Sequence, residues 1–264
     1  MSQEGPPVDP AAAAEHHARE RVAFSLVSGL SRPWATIGLL LAVASAHLVL
    51  AGVMLSRGRG FFEAIAGPRG PNLLTRSGAM SALRLDQGEL WRLVSAVFLH
   101  GDGLHLLVNM MALWSLGRLA ESIYGPVRFL WLYLLCGIAG ATLSWVGGNT
   151  LSVGASGAIF GLMGAAMVFG WRYRDALPED IGRLFRRRIL PWIVVNLIIG
   201  FLVPFIDNLG HTGGLCCGLV MAMVVGNRIV PGEESAWWVR GLMGAGSAVL
   251  IGAGIVGVSV GWGR

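Results

Sequence analysis

Val153–Gly154–Ala155–Ser156–Gly157–Ala158–Ile159 opens an apolar run that continues Phe160–Gly161–Leu162–Met163–Gly164–Ala165–Ala166–Met167–Val168–Phe169. A run of this kind is a membrane helix, so the serine between glycines is not the strand–turn–helix elbow of a soluble hydrolase. In the first turn of a helix, backbone N–H groups lack intrahelical partners. Those donors and the positive end of the helix dipole favour negative charge beside Ser156, as an oxyanion requires. The same string also reads as ordinary small-residue packing between membrane helices, and taken alone that reading is preferred.

Composition extends the membrane reading to the whole chain. Of 264 residues, 54% are hydrophobic and 13% charged, with a mean hydropathy of +0.64. A soluble domain carries about a quarter charged residues. The 39 glycines fit close helix packing in a bilayer. The formal charge of +5 comes from arginine alone. These arginines lie between apolar stretches, where they set topology and meet anionic lipid, so nucleic-acid binding is rejected. Cys136, Cys216 and Cys217 lie inside apolar runs, as packing residues without a disulfide framework.

The fold expected is all-α, with seven membrane spans. Residues 1–33 form a disordered cytosolic tail in which His16 and His17 are merely solvated. The spans fall at about Trp34–Leu55, Gly103–Leu119, Val127–Trp145, Gly154–Trp171, Ile189–Phe205, Leu209–Val230 and Trp238–Trp262. The connection Ser56 to Leu90 is too long for a turn and too broken for a span, so it is an interfacial loop with short helices. Arg172, Arg174, Arg183, Arg186, Arg187 and Arg188 crowd the loop after span four, and Arg118, Arg128, Arg228 and Arg240 flank two others. These loops share a face with the tail if the N-terminus is cytosolic. Arg57, Arg59, Arg69, Arg76, Arg84 and Arg92 run against that rule on the outer side. With this topology Ser156 and His211 lie at similar depth, near the outer face of an inner or plasma membrane.

Chemistry gathers at that depth. His211, Gly214, Gly218 and Ala222 share one helix face, as do Gly157, Gly161 and Gly164. Backbone-to-backbone packing of these stripes brings the His211 imidazole to the Ser156 hydroxyl, as general base to nucleophile. His105 and Asn109, four apart at the start of span two, offer uncharged donors to an oxyanion. His100, where the loop enters that span, ties loop to bundle.

The set Trp91–Arg92, His100-x4-His105-x3-Asn109, Gly117-x3-Glu121, Gly154-x-Ser156-Gly157 and His211-x2-Gly214-x3-Gly218 resembles the rhomboid family of intramembrane serine proteases. The resemblance covers about Trp91 to Val230. It implies a six-helix catalytic core at 34–230, followed by an extra C-terminal transmembrane helix at 231–264. It implies a Ser156–His211 dyad without an acid, and an oxyanion site made by the Ser156 N–H, His105 and Asn109. Trp91 and Arg92 would stabilise the first loop. Phe160 stands where some members carry a tyrosine against the catalytic histidine; it keeps the ring and loses the hydroxyl.

A hydrolase in a bilayer needs a wet cavity, here lined by His100, His105, Asn109, Ser156 and His211 and open to the outer face. The loop Phe205–Leu209 is placed to cap it, and span five, with Pro191 and Pro204 near its ends, is a candidate lateral gate. The substrates expected are transmembrane segments of other proteins. No cofactor is expected, and no metal: the chain has no His-Glu-x-x-His, and Asp102 and Asp207 both fall in outer loops. The rival reading is a pseudoprotease of the same fold that binds membrane helices without cutting them. Such proteins typically lack the serine or the histidine.

Overall fold

A computed structural model describes residues 17, 19–26, 28, 33–178, 183, 187, 189–203 and 206–262. Helix α1 (Trp34–Ser56) leads into a connection folded as α2 (Phe61–Ala66), α3 (Pro71–Arg76), strand β1 (Met80–Ser81), α4 (Ala82–Asp86) and α5 (Arg92–Ser95). After a 3-10 turn at Ala96–Phe98 come α6 (Gly103–Tyr124) and α7 (Pro126–Val146), then strand β2 (Leu151–Ser152) and α8 (Ser156–Arg172). Helices α9 (Leu190–Leu202), α10 (Asn208–Val224) and α11 (Trp237–Trp262) complete the chain. Helices α1 and α7 and the Trp237–Val260 part of α11 are each long and apolar enough to cross a membrane. Helix α6 joins them when counted with Arg92–Phe98, from which it is bent by 92°. The protein is a mostly helical, multi-pass membrane protein.

Helix α8 is the buried centre, enclosed by α6, α7 and α10. Its backbone touches that of α10 directly. A Cβ on Gly214 would overlap the Gly157 carbonyl, and one on Gly218 the Gly161 carbonyl. Side chains would hold these helices apart; their absence lets dispersion act between main chains. On the far side of α8, the Tyr124 hydroxyl donates to the Ala165 carbonyl at 2.9 Å.

Helix α1 is fixed to α6 by a buried carboxylate. Glu121, 2% exposed, accepts from the backbone N–H groups of Ala35 and Thr36 at 3.0 and 2.8 Å, and from the Thr36 hydroxyl at 2.8 Å. The orphan donors at the start of α1 are thereby satisfied, and the helix dipole favours the negative charge. Gly117, one turn earlier, leaves room for Thr36.

The structure departs from the sequence expectation in four places. Residues 19–26 are helical, where a disordered tail was expected. Val22 and Leu26, four apart, bury one face of that stretch against the main core. The all-α expectation missed one ladder: β1 pairs antiparallel with β2, Met80 opposite Ser152 and Ser81 opposite Leu151. Span four begins at Ser156 and not at Gly154, because Gly154 has a φ of +127°, outside helical space. Helix α10 ends at Val224, short of Val230: the Asn227 carboxamide oxygen accepts from the N–H groups of Ile229 and Val230 at 2.9 and 2.7 Å and turns the chain. His16, Arg186, Arg188, Pro204 and Phe205 lie outside the described residues.

Candidate active site

Three helices begin at one place, and each start is set by its sequence. Asp102 caps α6, its carboxylate accepting from the His105 N–H at 2.8 Å. Asp207 caps α10: its carboxylate accepts from the Gly210 N–H at 2.8 Å, and its carbonyl from the His211 N–H at 3.0 Å. Helix α8 starts at Ser156, after Gly154 has donated its N–H to the Ala96 carbonyl at 3.0 Å. The first turns of α6, α8 and α10 carry His105, Ser156 and His211 respectively. Three helix N-termini aimed at one region sum their positive ends there.

His211 follows Gly210, whose carbonyl packs on Gly157, the neighbour of Ser156. Its ring lies flat on Phe160, one turn below Ser156, with centroids 4.2 Å apart and planes at 12°. The Nδ1 of His211 is buried without a hydrogen-bond partner, and the residue is 8% exposed. His105 stands on the other side of Gly154: a Cβ there would lie 2.9 Å from His105 Nε2 and 3.8 Å from Ser156 Oγ. Ser156, His105, His211 and Phe160 are thus brought together around Gly154 and Gly157. A cavity of about 20 Å³ touches Ser156, Gly154, Gly210 and Asp207, space for about one water.

Asn109 sits one turn below His105, 5% exposed, and its carboxamide donates to the His105 carbonyl at 2.9 Å. One of its two N–H bonds is therefore committed to its own helix. His100 reaches the site by ring packing, edge-on to His105 with centroids 5.0 Å apart. Both its ring nitrogens are buried, and the nearby Phe98 carbonyl falls outside hydrogen-bond geometry. Burial, reinforced by His105 and His47, pushes the His100 imidazole down to about 3.

Trp91 and Arg92 lie away from the serine and organise the first loop. Arg92, 2% exposed, pairs with Glu89 at 2.7 Å and donates to the carbonyls of Thr75 and Ala79. Its guanidinium lies 4.5 Å from the Trp91 ring centroid. Arg69 closes the same loop onto the site, donating to His47 Nε2 at 2.8 Å while its backbone N–H reaches the Gly101 carbonyl at 2.7 Å.

Sequence reasoning passed over Asp207 as a loop aspartate. Besides capping α10, it accepts from Asn149 Nδ2 at 2.8 Å and Ser152 Oγ at 2.6 Å, joining the loop before α8 to the turn that holds His211. The available signal was an Asp just before an apolar helical run, which is an N-cap pattern.

Comparison with known proteins bears on the same region. The rhomboid domain family model matches residues 87–228. The chain is 40% identical over 164 residues to the rhomboid protease GluP of Bacillus subtilis, covering 62% of this chain and 32% of that protein. It is 37% identical over 167 residues to RHOMBOID-like protein 5 of Arabidopsis thaliana, covering 61% of this chain and 52% of that one. To Rhomboid-like protease 1 of Toxoplasma gondii it is 32% identical over 175 residues, covering 63% and 57%. The aligned part thus spans from about a third to just over half of these relatives. The matched domain takes in α6 to α10 and every residue gathered around Ser156, and on that match the chain belongs to the rhomboid family.

Proposed function

We propose that this protein is an intramembrane serine endopeptidase that cuts transmembrane segments of other proteins with a Ser156–His211 dyad. The observation that carries the reading is the placement of His211, flat on Phe160 and beside the first turn of α8. With Nδ1 buried and unpartnered, Nε2 is the nitrogen left to serve the hydroxyl. Ser156 Oγ attacks the scissile carbonyl as its proton passes to His211. The C–N bond then breaks, and the same proton goes to the leaving amine. Water attacks the acyl-enzyme and gives its proton to His211; the Oγ–C bond then breaks, His211 returns that proton to Ser156 Oγ, and the acid product leaves.

The tetrahedral oxygen forms among the Ser156 N–H, His105 and the uncommitted N–H of Asn109, where three helix N-termini favour negative charge. His105 and Asn109 supply neutral donors, which are less costly to bury than a permanent cation. Phe160 holds the imidazole plane, and Gly154, Gly157, Gly214 and Gly218 supply the close approach. His100, Trp91 and Arg92 position the first loop around them.

The architecture proposed is a six-span core at 34–230 and a seventh span at 231–264. The N-terminus is cytosolic and the site opens to the outer face of an inner or plasma membrane. Helix α9 is the side entrance: most of its apolar side chains face outward, with Trp192 at 56% and Leu202 at 76% exposure, and among the described residues its main contacts are with α8 and α10. A substrate helix entering there must unwind to expose its carbonyls.

The deciding experiment is cleavage of a reconstituted transmembrane substrate by wild type, Ser156→Ala and His211→Ala, with labelling by a serine-reactive phosphonate alongside. Both variants are expected to lose activity by at least about a thousandfold while keeping wild-type thermal unfolding. Label should require Ser156. Cleavage retained by the serine variant, or a wild type that binds substrate helices and never cuts them, moves the assignment to the helix-binding pseudoprotease.

A further inference from the structure

Six arginines lie in the connection between α1 and α6, at the end of the bundle that carries the candidate site. Four have clear partners. Arg69 is held by His47 and the Ala64 carbonyl, and Arg92 by Glu89. Arg59 pairs with Glu63 at 2.8 Å, and Arg84 reaches Glu89 at 3.4 Å. Arg57 and Arg76 are exposed, and their guanidinium groups form no ion pair or hydrogen bond with described residues. With Arg84, Asn72 and Thr75 they line a recess of about 550 Å³ that contains no carboxylate. Of these three cations only Arg84 has a carboxylate partner, Glu89, which is not part of the recess lining. All three oppose the usual bias of arginine toward the cytosolic side.

Arg76 is the last residue of α3, and the next residue, Ser77, lines a second opening. This is an apolar slot of about 340 Å³ between the later halves of α1 and α11, walled by Ala46, Leu50, Phe98, Ile255 and Val258. Val258 also packs under Gly78, so α11 reaches up to the same turn. A basic recess therefore stands at the head of an apolar slot that opens between two bilayer-facing helices.

We infer that this two-part site binds one anionic phospholipid, its phosphate in the Arg57–Arg76–Arg84 recess and an acyl chain in the slot between α1 and α11. Guanidinium groups suit phosphate because their planar fork donates two parallel hydrogen bonds to it. The slot supplies what a free anion cannot use, so a lipid is selected over inorganic phosphate. The site lies away from α9 and contains no residue assigned to catalysis. It requires only that α1 and α11 lie in the bilayer, so it stands or falls independently of the protease reading.

The test uses the full chain, purified in detergent and stripped of lipid, with native mass spectrometry and thermal unfolding as readouts. Phosphatidylglycerol, phosphatidylcholine and inorganic phosphate are the probes. The wild type is expected to retain one phosphatidylglycerol with a preference of about tenfold or more over phosphatidylcholine, and to gain thermal stability from it. Inorganic phosphate at the same concentration should do neither. Arg57→Gln/Arg76→Gln should abolish the headgroup preference, and Ala46→Phe, which fills the slot, should weaken both lipids alike. Equal retention of the two lipids, a preference that survives the arginine changes, or equal stabilisation by phosphate alone would overturn the site. If the double variant does not fold, Arg76→Gln alone and the wild-type lipid comparison decide the same question.

Discussion

At Gly154 a single hydrogen stands where a Cβ would crowd the His105 ring and touch the Ser156 hydroxyl. The residue has a φ of +127°, and a Cβ would sit 2.9 Å from the His105 ring. Gly154→Ala therefore strains the backbone and displaces His105 together. Its kcat should fall about a hundredfold or more with KM little changed, because His105, as the proposed oxyanion donor, would matter most in the transition state. An equal loss in KM would place His105 in substrate binding instead. A different residue-scale effect belongs to His100, only 1% exposed. Its imidazole titrates near 6.5 when unfolded but is held at about 3 by burial beside His105, His47 and Arg69. The unfolded chain binds the extra proton between those values, so His100 costs stability as pH falls through that window. At pH 5 the cost is roughly 2 kcal/mol. His100→Phe keeps a ring without a proton site, so its unfolding temperature should decline less between pH 7 and pH 5 than that of the wild type. Parallel declines would show that the acid sensitivity lies elsewhere.

Among the elements, those with a purely local signal were the easiest to read. Six of the seven long helices begin within one residue of the apolar stretches that predicted them, and α8 starts two residues late because Gly154 leaves helical space. Apolar length reports on solvation by lipid, which each segment satisfies on its own. The β1–β2 ladder was not legible, because two residues on each side carry no periodicity and pair across some seventy positions of chain. Docking of α11 was hidden for a related reason. Its glycines look like generic membrane composition, yet a Cβ on Gly257 would overlap the Trp91 ring and one on Gly246 would lie 2.6 Å from the Trp131 ring. Trp91 is thus gripped between Arg92 and α11, which couples the seventh helix to the first loop. Gly257→Leu should lift α11 from that face and make the loop near Trp91 more accessible to proteolysis. The α8–α10 seam should be unaffected, so a Tm loss of only a few degrees is expected by thermal shift, against collapse for Gly218→Leu. A larger loss for Gly257→Leu would make α11 part of the core.

Across the whole molecule, tight and loose contacts are divided between two neighbours of the same site. Helices α8 and α10 meet backbone to backbone, and Asp207 ties the start of α10 to Asn149 and Ser152. Helix α9 carries exposed apolar side chains and ends where Gly200 packs on the Asn208 side chain. The sequence pointed to α9 as an entrance through its flanking prolines. It could not show this contrast, because the strength of a seam depends on which residues face each other across the bundle. The proposed function, in which a helix enters sideways while a serine is held against a histidine, calls for this asymmetry, since low-stability elements move and high-stability ones stay registered. Hydrogen exchange of the reconstituted protein should therefore show α9 amides exchanging first and those of α8 and α10 last. Gly200→Leu, which forces α9 away from Asn208, should widen that gap and raise cleavage of bulky transmembrane substrates several-fold. It should leave labelling of Ser156 by a small phosphonate unchanged. If labelling falls along with cleavage, α9 also shapes the serine's surroundings, and the entrance must be sought along another face of the bundle.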